Sequence, residues 1–201
     1  MFTGLVETCG RLEAVTPIAE GARFAVCVPF AVEVSLGDSI AVNGCCLTVN
    51  GMDGDTVFFD ILTQTMRITM LSTLNPGDRV NLERAMGGAG RFGGHFVMGH
   101  IDACGEIVSI EPIGQDHRLT VRIPEKYARY CIDKGSIAID GISLTIAHIE
   151  GNLLEFWLIP HTFSETNLCD ARPGKLVDIE VDMMAKYIEK LLAAREQPTT
   201  C

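Results

Sequence analysis

The chain has 201 residues, of which 47% are hydrophobic and 21% charged, a balance that supports a packed core and excludes a disordered chain. An excess of acidic over basic residues leaves a formal net charge of -10, which argues against a nucleic-acid backbone or an anionic membrane surface as partner. The length suits one moderate domain or two small ones.

At the N-terminus, MFTGLVETCG has neither a basic stretch nor the apolar run of a signal peptide. No apolar run elsewhere approaches the roughly 20 residues of a membrane span. A cytoplasmic chain is expected. The cysteines at 9, 27, 45, 46, 104, 131, 169 and 201 form no CxxC pair or finger-like spacing, so in a reducing compartment they read as free thiols.

Short apolar or alternating runs follow at 23–29, 38–50, 55–63 and 78–84, separated by Gly, Asp, Asn and Pro turn signals such as NPGD at 75–78. They predict strands. Five or six strands in so short a unit suit a small closed barrel, which leaves no exposed sheet edge. The glycine-rich GGAGRFGG at 87–94 is the junction after this unit, and it matches no phosphate-loop fingerprint.

Beyond the junction the chain repeats itself. SIAVNGCCLTV at 39–49 lies over SIAIDGISLTI at 136–146, and Phe59, Thr65, Thr69, Leu71, Pro76, Gly77, Val80 and Glu83 recur 97 residues later. Near the start the offset becomes 95, placing GLVETCG at 4–10 over GHIDACG at 99–105. Only the tail changes period: Met184, Tyr187, Ile188, Leu191 and Leu192 form an apolar stripe behind Asp182 as N-cap. That stripe needs a partner, either the side of a barrel or the same helix in another subunit. The reading is an all-β chain of two tandem six-stranded, Greek-key-like barrels at 1–90 and 91–182, an amphipathic helix at 183–196 and a flexible tail at 197–201.

Cys45 and Cys46 must face opposite sides of their strand. Both can be small core hydrophobes, but Ser143 stands where the first copy has Cys46, and a position that exchanges Cys for Ser faces a ligand more readily than a core. Ser39 with Ser136, and Thr48 with Thr145, add hydrogen-bonding groups. His95 and His100 are spaced unlike a helical zinc motif, and a proton-transfer or hydrogen-bonding role is open to either. Asp140 and Asp182 read equally as surface groups or caps. The repeat alone therefore predicts paired small-molecule pockets without naming a reaction.

Four separated stretches, MFTGLVE at the N-terminus, GDSIAVNGCCLTV at 37–49, GGHFVMGHID at 93–102 and DGISLTI at 140–146, resemble the riboflavin synthase family in the right order. The resemblance runs from Met1 to the C-terminal helix. It implies a homotrimer whose helices meet centrally, and a transferase that converts two molecules of 6,7-dimethyl-8-ribityllumazine into riboflavin and 5-amino-6-(ribitylamino)uracil, with no cofactor or metal. It places the site between the N-barrel of one subunit and the C-barrel of another, and adds lumazine synthase as a candidate partner. Catalytic roles fall by resemblance on Cys46, His100, Ser143, Asp182 and Ser39. Substrate-binding roles fall on Gly4, Val6, Thr48, Gln64, Thr65, Gly99, Ile101, Asp140, Thr145, His161 and Thr162. Two positions depart from the family's usual pattern: Gln64, where many members have a glutamate, and Met98, at a place often polar. The rival readings are a lumazine-protein-type carrier, a flavin reductase, for which the chain lacks a nucleotide-binding domain, and a module that binds another protein.

Overall fold

A computed structural model describes residues 1–195; the expected tail at 197–201, together with Glu196, lies outside the described residues. The first unit comprises β1 (Thr8–Ile18), β2 (Gly21–Cys27), β3 (Ser39–Val42), β4 (Cys45–Asp53), β5 (Thr56–Leu62), the short helix α1 (Thr63–Ile68) and β6 (Arg79–Arg84). Its strands close into a barrel in the order β1-β2-β5-β4-β3-β6. The second unit comprises β7 (Ala103–Ile113), β8 (Asp116–Arg122), α2 (Glu125–Ala128), β9 (Ser136–Ile139), β10 (Ile142–Thr145), β11 (His148–Glu150), β12 (Leu153–Leu158), α3 (Pro160–Glu165) and β13 (Leu176–Val181), followed by α4 (Met183–Arg195).

The second unit departs from the expected six-stranded barrel. It is a seven-stranded sheet ordered β10-β9-β13-β7-β8-β12-β11, because the counterpart of β4 is interrupted at Ile146–Ala147. The first copy is irregular at the same place: β4 carries a bulge between Val49 and Gly51 in its ladder with β5. A strand that serves both halves of a small barrel must bend sharply, and a bulge is one way to bend it. In β4 the ladder survives the bend, whereas in the second copy it breaks. Three short helices, α1, α2 and α3, also went unpredicted, since four to six residues are too few for a helical period to show.

Alternation decides what each strand buries. On β4, Cys45, Leu47 and Val49 point into the first core with Phe24, Phe59 and Leu82, while Cys46 and Thr48 point out. The second core gathers Leu119, Val121, Phe156, Val177 and Ile179. Fully burying each such side chain stabilises the fold by about 1.5–3 kcal/mol.

The β3–β4 and β9–β10 hairpins turn on Asn43-Gly44 and Asp140-Gly141, all four residues at positive φ, as a tight two-residue hairpin turn requires. The two turns sit back to back. A Cβ on Gly44 would lie 2.6 Å from Gly141 N, and one on Gly141 the same distance from Gly44 N. Only glycine at both positions lets the two units approach this closely.

Candidate active site

Each unit presents one polar outer face beside this contact. On the first, Ser39 pairs with Thr48 and Ala41 with Cys46 across β3 and β4. On the second, Ser136 pairs with Thr145 and Ala138 with Ser143 across β9 and β10. Cys46 is half-buried against a small apolar cluster of Phe2, Ala41, Val97 and Ala138 that straddles the two units. Thr48 and Thr145 are exposed.

Each face is then covered by a segment from the other unit. Phe2 and Val97 bridge antiparallel, and from there the two segments cross. Gly99 O accepts from Cys46 N at 2.9 Å, and Gly4 O accepts from Ser143 N at 2.7 Å. Both glycines have positive φ, and a Cβ would lie 2.5 Å from Cys46 Cβ in one case and 2.6 Å from Ser143 Cβ in the other. Past the crossing, Ile101 packs into the first core and Val6 against the second.

Two buried carboxylates hold these segments. Glu83 accepts from Thr3 N (2.7 Å), Thr3 Oγ1 (2.9 Å) and Gly4 N (3.0 Å). Its counterpart Glu180 accepts from Met98 N (2.7 Å), Gly99 N (2.9 Å) and His100 N (3.1 Å). Burial pushes both carboxyls above their ordinary range, opposed by these donors. Sequence reasoning named neither glutamate as a site residue, although both stand in the repeat.

The two faces differ where chemistry would be expected. At Cys46 the first presents a thiol. At Ser143 the second presents a hydroxyl 2.7 Å from His95 Nδ1. His95 is buried and anchored by donation of its N–H to Thr3 O at 3.1 Å. Burial lowers its pKa, and the charge of Asp182 partly opposes that. This Ser–His pair favours His95, to which the residues alone gave only an open role and which the resemblance passed over for His100. The preceding Gly94 is its signal, since a Cβ there would lie 2.0 Å from Thr3 O.

His100 is exposed beside the first face, on the segment that covers Cys46. Asp182 is half-buried, and its Oδ1 accepts from Met184 N at 2.9 Å as the cap of α4. Gln64 and Thr65 lie on α1, which leaves β5 at the end that antiparallel pairing brings toward Cys46; His161 and Thr162 occupy the same place on α3. Asp140 does not reach either face. It is fully buried, its oxygens accept from Asp178 N (2.6 Å) and Asn167 Nδ2 (2.7 Å), and burial raises its pKa to about 6. A cleft of about 540 Å³ between the turns at 73–79 and 170–176 contains none of the expected site residues.

Residues 3–85 and 98–182 each match the family model of the lumazine binding domain. The chain is 43% identical over 196 residues to riboflavin synthase of Actinobacillus pleuropneumoniae, covering 96% of this chain and 90% of that one. This chain belongs to the riboflavin synthase family. Within it, riboflavin synthase of Mycobacterium bovis is 42% identical, with 96% of this chain and 98% of that one aligned. Among solved structures, LumP complexed with riboflavin superposes with a TM-score of 0.84 at 26% identity, covering 90% of this chain and 99% of that one. LumP complexed with 6,7-dimethyl-8-(1'-D-ribityl) lumazine gives a TM-score of 0.82 over the same shares, also at 26% identity. The two crossed segments fall at the starts of the two regions of this chain that match the family model.

Proposed function

We propose that this chain is a riboflavin synthase, transferring a four-carbon unit between two molecules of 6,7-dimethyl-8-ribityllumazine to give riboflavin and 5-amino-6-(ribitylamino)uracil. The observation that carries the reading is the doubled face: two like surfaces suit two copies of one substrate, and the exchange of Cys46 for Ser143 with His95 suits a donor and an acceptor.

Catalysis here is first a matter of placing two rings against each other. Thr48 with Ser39, and Thr145 with Ser136, supply hydrogen bonds at equivalent points of the two faces. The covering segments add the backbone around Gly99, His100 and Ile101 on one side and Gly4 and Val6 on the other. Gln64, Thr65, His161 and Thr162 border the faces from α1 and α3. Proton transfer belongs to the second face, where the Ser143 hydroxyl and the imidazole of His95 form a ready donor–acceptor pair near Asp182. Cys46 and His100 serve the ring on the first face. Asp140 acts from below, by fixing the β9–β10 turn that carries Ser143.

Among the described residues the covering segments leave Thr48 and Thr145 exposed on the two faces, and α4 turns its apolar stripe outward: Tyr187 is 62% and Leu191 68% exposed. Both features support a homotrimer in which the N-barrel face of one subunit meets the C-barrel face of another. The test is direct. Purified protein given 6,7-dimethyl-8-ribityllumazine alone should form riboflavin with two substrate molecules consumed per flavin; tight binding without turnover would assign the chain to a carrier role instead.

A further inference from the structure

Beneath the two faces the units meet at a buried polar junction in which the hydrogen bonds of one have twins in the other. Asn43 N donates to Asn81 O at 2.9 Å, and Asp140 N to Asp178 O at 2.8 Å. Asn81 N donates to Asn43 Oδ1 at 2.7 Å, and Asp178 N to Asp140 Oδ1 at 2.6 Å. Asn167 N donates to Asn81 Oδ1 at 2.7 Å, and Met70 N to Asp178 Oδ1 at 2.6 Å.

The correspondence fails at one atom. Asn81 Nδ2 donates to Asp140 O at 2.9 Å and to Asn167 Oδ1 at 3.0 Å. Its twin, Asp178 Oδ2, is buried and has no hydrogen-bond partner. Under the same correspondence the groups facing it are the carbonyl oxygen of Asn43 and the thioether of Met70, and neither has a hydrogen to give. A charged carboxylate oxygen set against acceptors alone is an uncompensated buried charge. A proton on that oxygen turns it into the donor that Asn81 supplies on the other side.

We propose that Asp178 is a neutral carboxylic acid in the folded chain, protonated on Oδ2 and donating to the carbonyl oxygen of Asn43, so that a proton completes the contact between the two units. The surrounding groups agree. Asp140, on the β9–β10 turn, has both oxygens filled by N–H donors and so holds the negative charge of the pair, with Lys175 acting on it favourably. Cys104 of β7 lies 3.7 Å from Asp178 Oδ1, and the Cys45 thiol of β4 feels the charge of Asp178. Asn43, Asn81, Asn167 and Met70 do not titrate. Burial, and next the charge of Asp140, push the Asp178 carboxyl well above its ordinary range.

The sign of the consequence is fixed. An unfolded Asp titrates near ~3.9, below the folded Asp178. Its contribution to stability is therefore complete below about pH 4 and declines as pH rises toward the folded value, by up to about tenfold in the folding constant per pH unit. Asp178→Asn, which installs the amide donor that Asn81 already has, should fold, match or exceed the unmodified protein in denaturation midpoint at pH 7, and lose that decline. In protein carrying ¹³C-labelled aspartate, one carboxyl resonance should stay at the protonated position at pH 7 and vanish in Asp178→Asn. The proposal is overturned if no aspartate of the unmodified protein is protonated at pH 7, a result that does not depend on any variant folding. It is equally overturned if Asp178→Asn is less stable at pH 7 with an unchanged pH profile, or fails to fold, because the amide supplies the same donor.

Discussion

Adjacent cysteines on one strand have opposite fates. Cys45 is 5% exposed in the first core, and burial pushes its thiol up to about 12, so it stays protonated and inert. Cys46 looks outward under Gly99. Replacing Cys46 by Ala or Ser should lower riboflavin formation by at least about tenfold with an unchanged circular dichroism spectrum. Cys45→Ser should instead cost about 1–3 kcal/mol of stability, by burying a hydroxyl among apolar neighbours, while turnover per folded molecule is kept. The reverse pattern would exchange the two roles. His95 offers a second reading at this scale, in pH. Its pKa is lowered by burial, so its contribution to stability is present above the unfolded value near ~6.5 and is lost as pH falls through the folded value. His95→Gln should flatten the acid limb of a thermal-denaturation profile and cut turnover; an unaltered acid limb would place the proton uptake elsewhere.

Among the elements, α4 shows why an amphipathic pattern does not name its partner. Its polar side is tied to the second unit: Lys186 reaches Asp102 at 2.6 Å, and Glu189 meets Arg129 at 2.8 Å and the Tyr130 hydroxyl. The apolar stripe is left facing solvent, with Met184 at 54% and Leu192 at 55% exposure. Such a stripe is stable only when covered. Ile188→Glu with Leu191→Glu should therefore give smaller species by sedimentation, with barrels still folded and turnover largely lost. A stable, fully active monomer of the unmodified chain would remove both the trimer and the site between subunits. The interrupted counterpart of β4 belongs to this scale as well, because the bend is demanded by the strong curvature of a small sheet and hardly marked in the heptads DGISLTI and NGCCLTV.

For the whole molecule, the proposed site joins unlike faces from different chains, and mixed assemblies can test that. One preparation carries Cys46→Ala, the other Ser143→Ala with Asp182→Ala, and each alone should turn over weakly. Refolded together, some sites would draw an intact first face from one chain and an intact second face from the other, so activity should exceed the sum of the separate preparations. If mass measurement finds mixed trimers without such a rise, the active site lies within one chain, or either mutation damages the whole assembly.

The repeat and the alternation that separates Cys45 from Cys46 were legible in the sequence, because each is a local property: spacing and a two-residue period. The run at 38–50 read as one strand, but Asn43-Gly44, both at positive φ, split it into β3 and β4. Tertiary structure alone decided the rest. The exchange of segments at 2–6 and 97–101 rests on contacts between the units, Ser143 N to Gly4 O and Cys46 N to Gly99 O, and contacts that distant in the chain impose no period on either segment. His95 was open to the sequence as a chemical type, yet only the approach of Gly94 to Thr3 sets its ring against Ser143. Asp140 carried a substrate-binding expectation; back-to-back packing of two glycine turns leaves it no path to either face. The direction of the α4 stripe was undetermined for the same reason. An apolar face specifies that something must cover it, and which surface does so depends on where the polar side is anchored, here by Asp102 and Arg129.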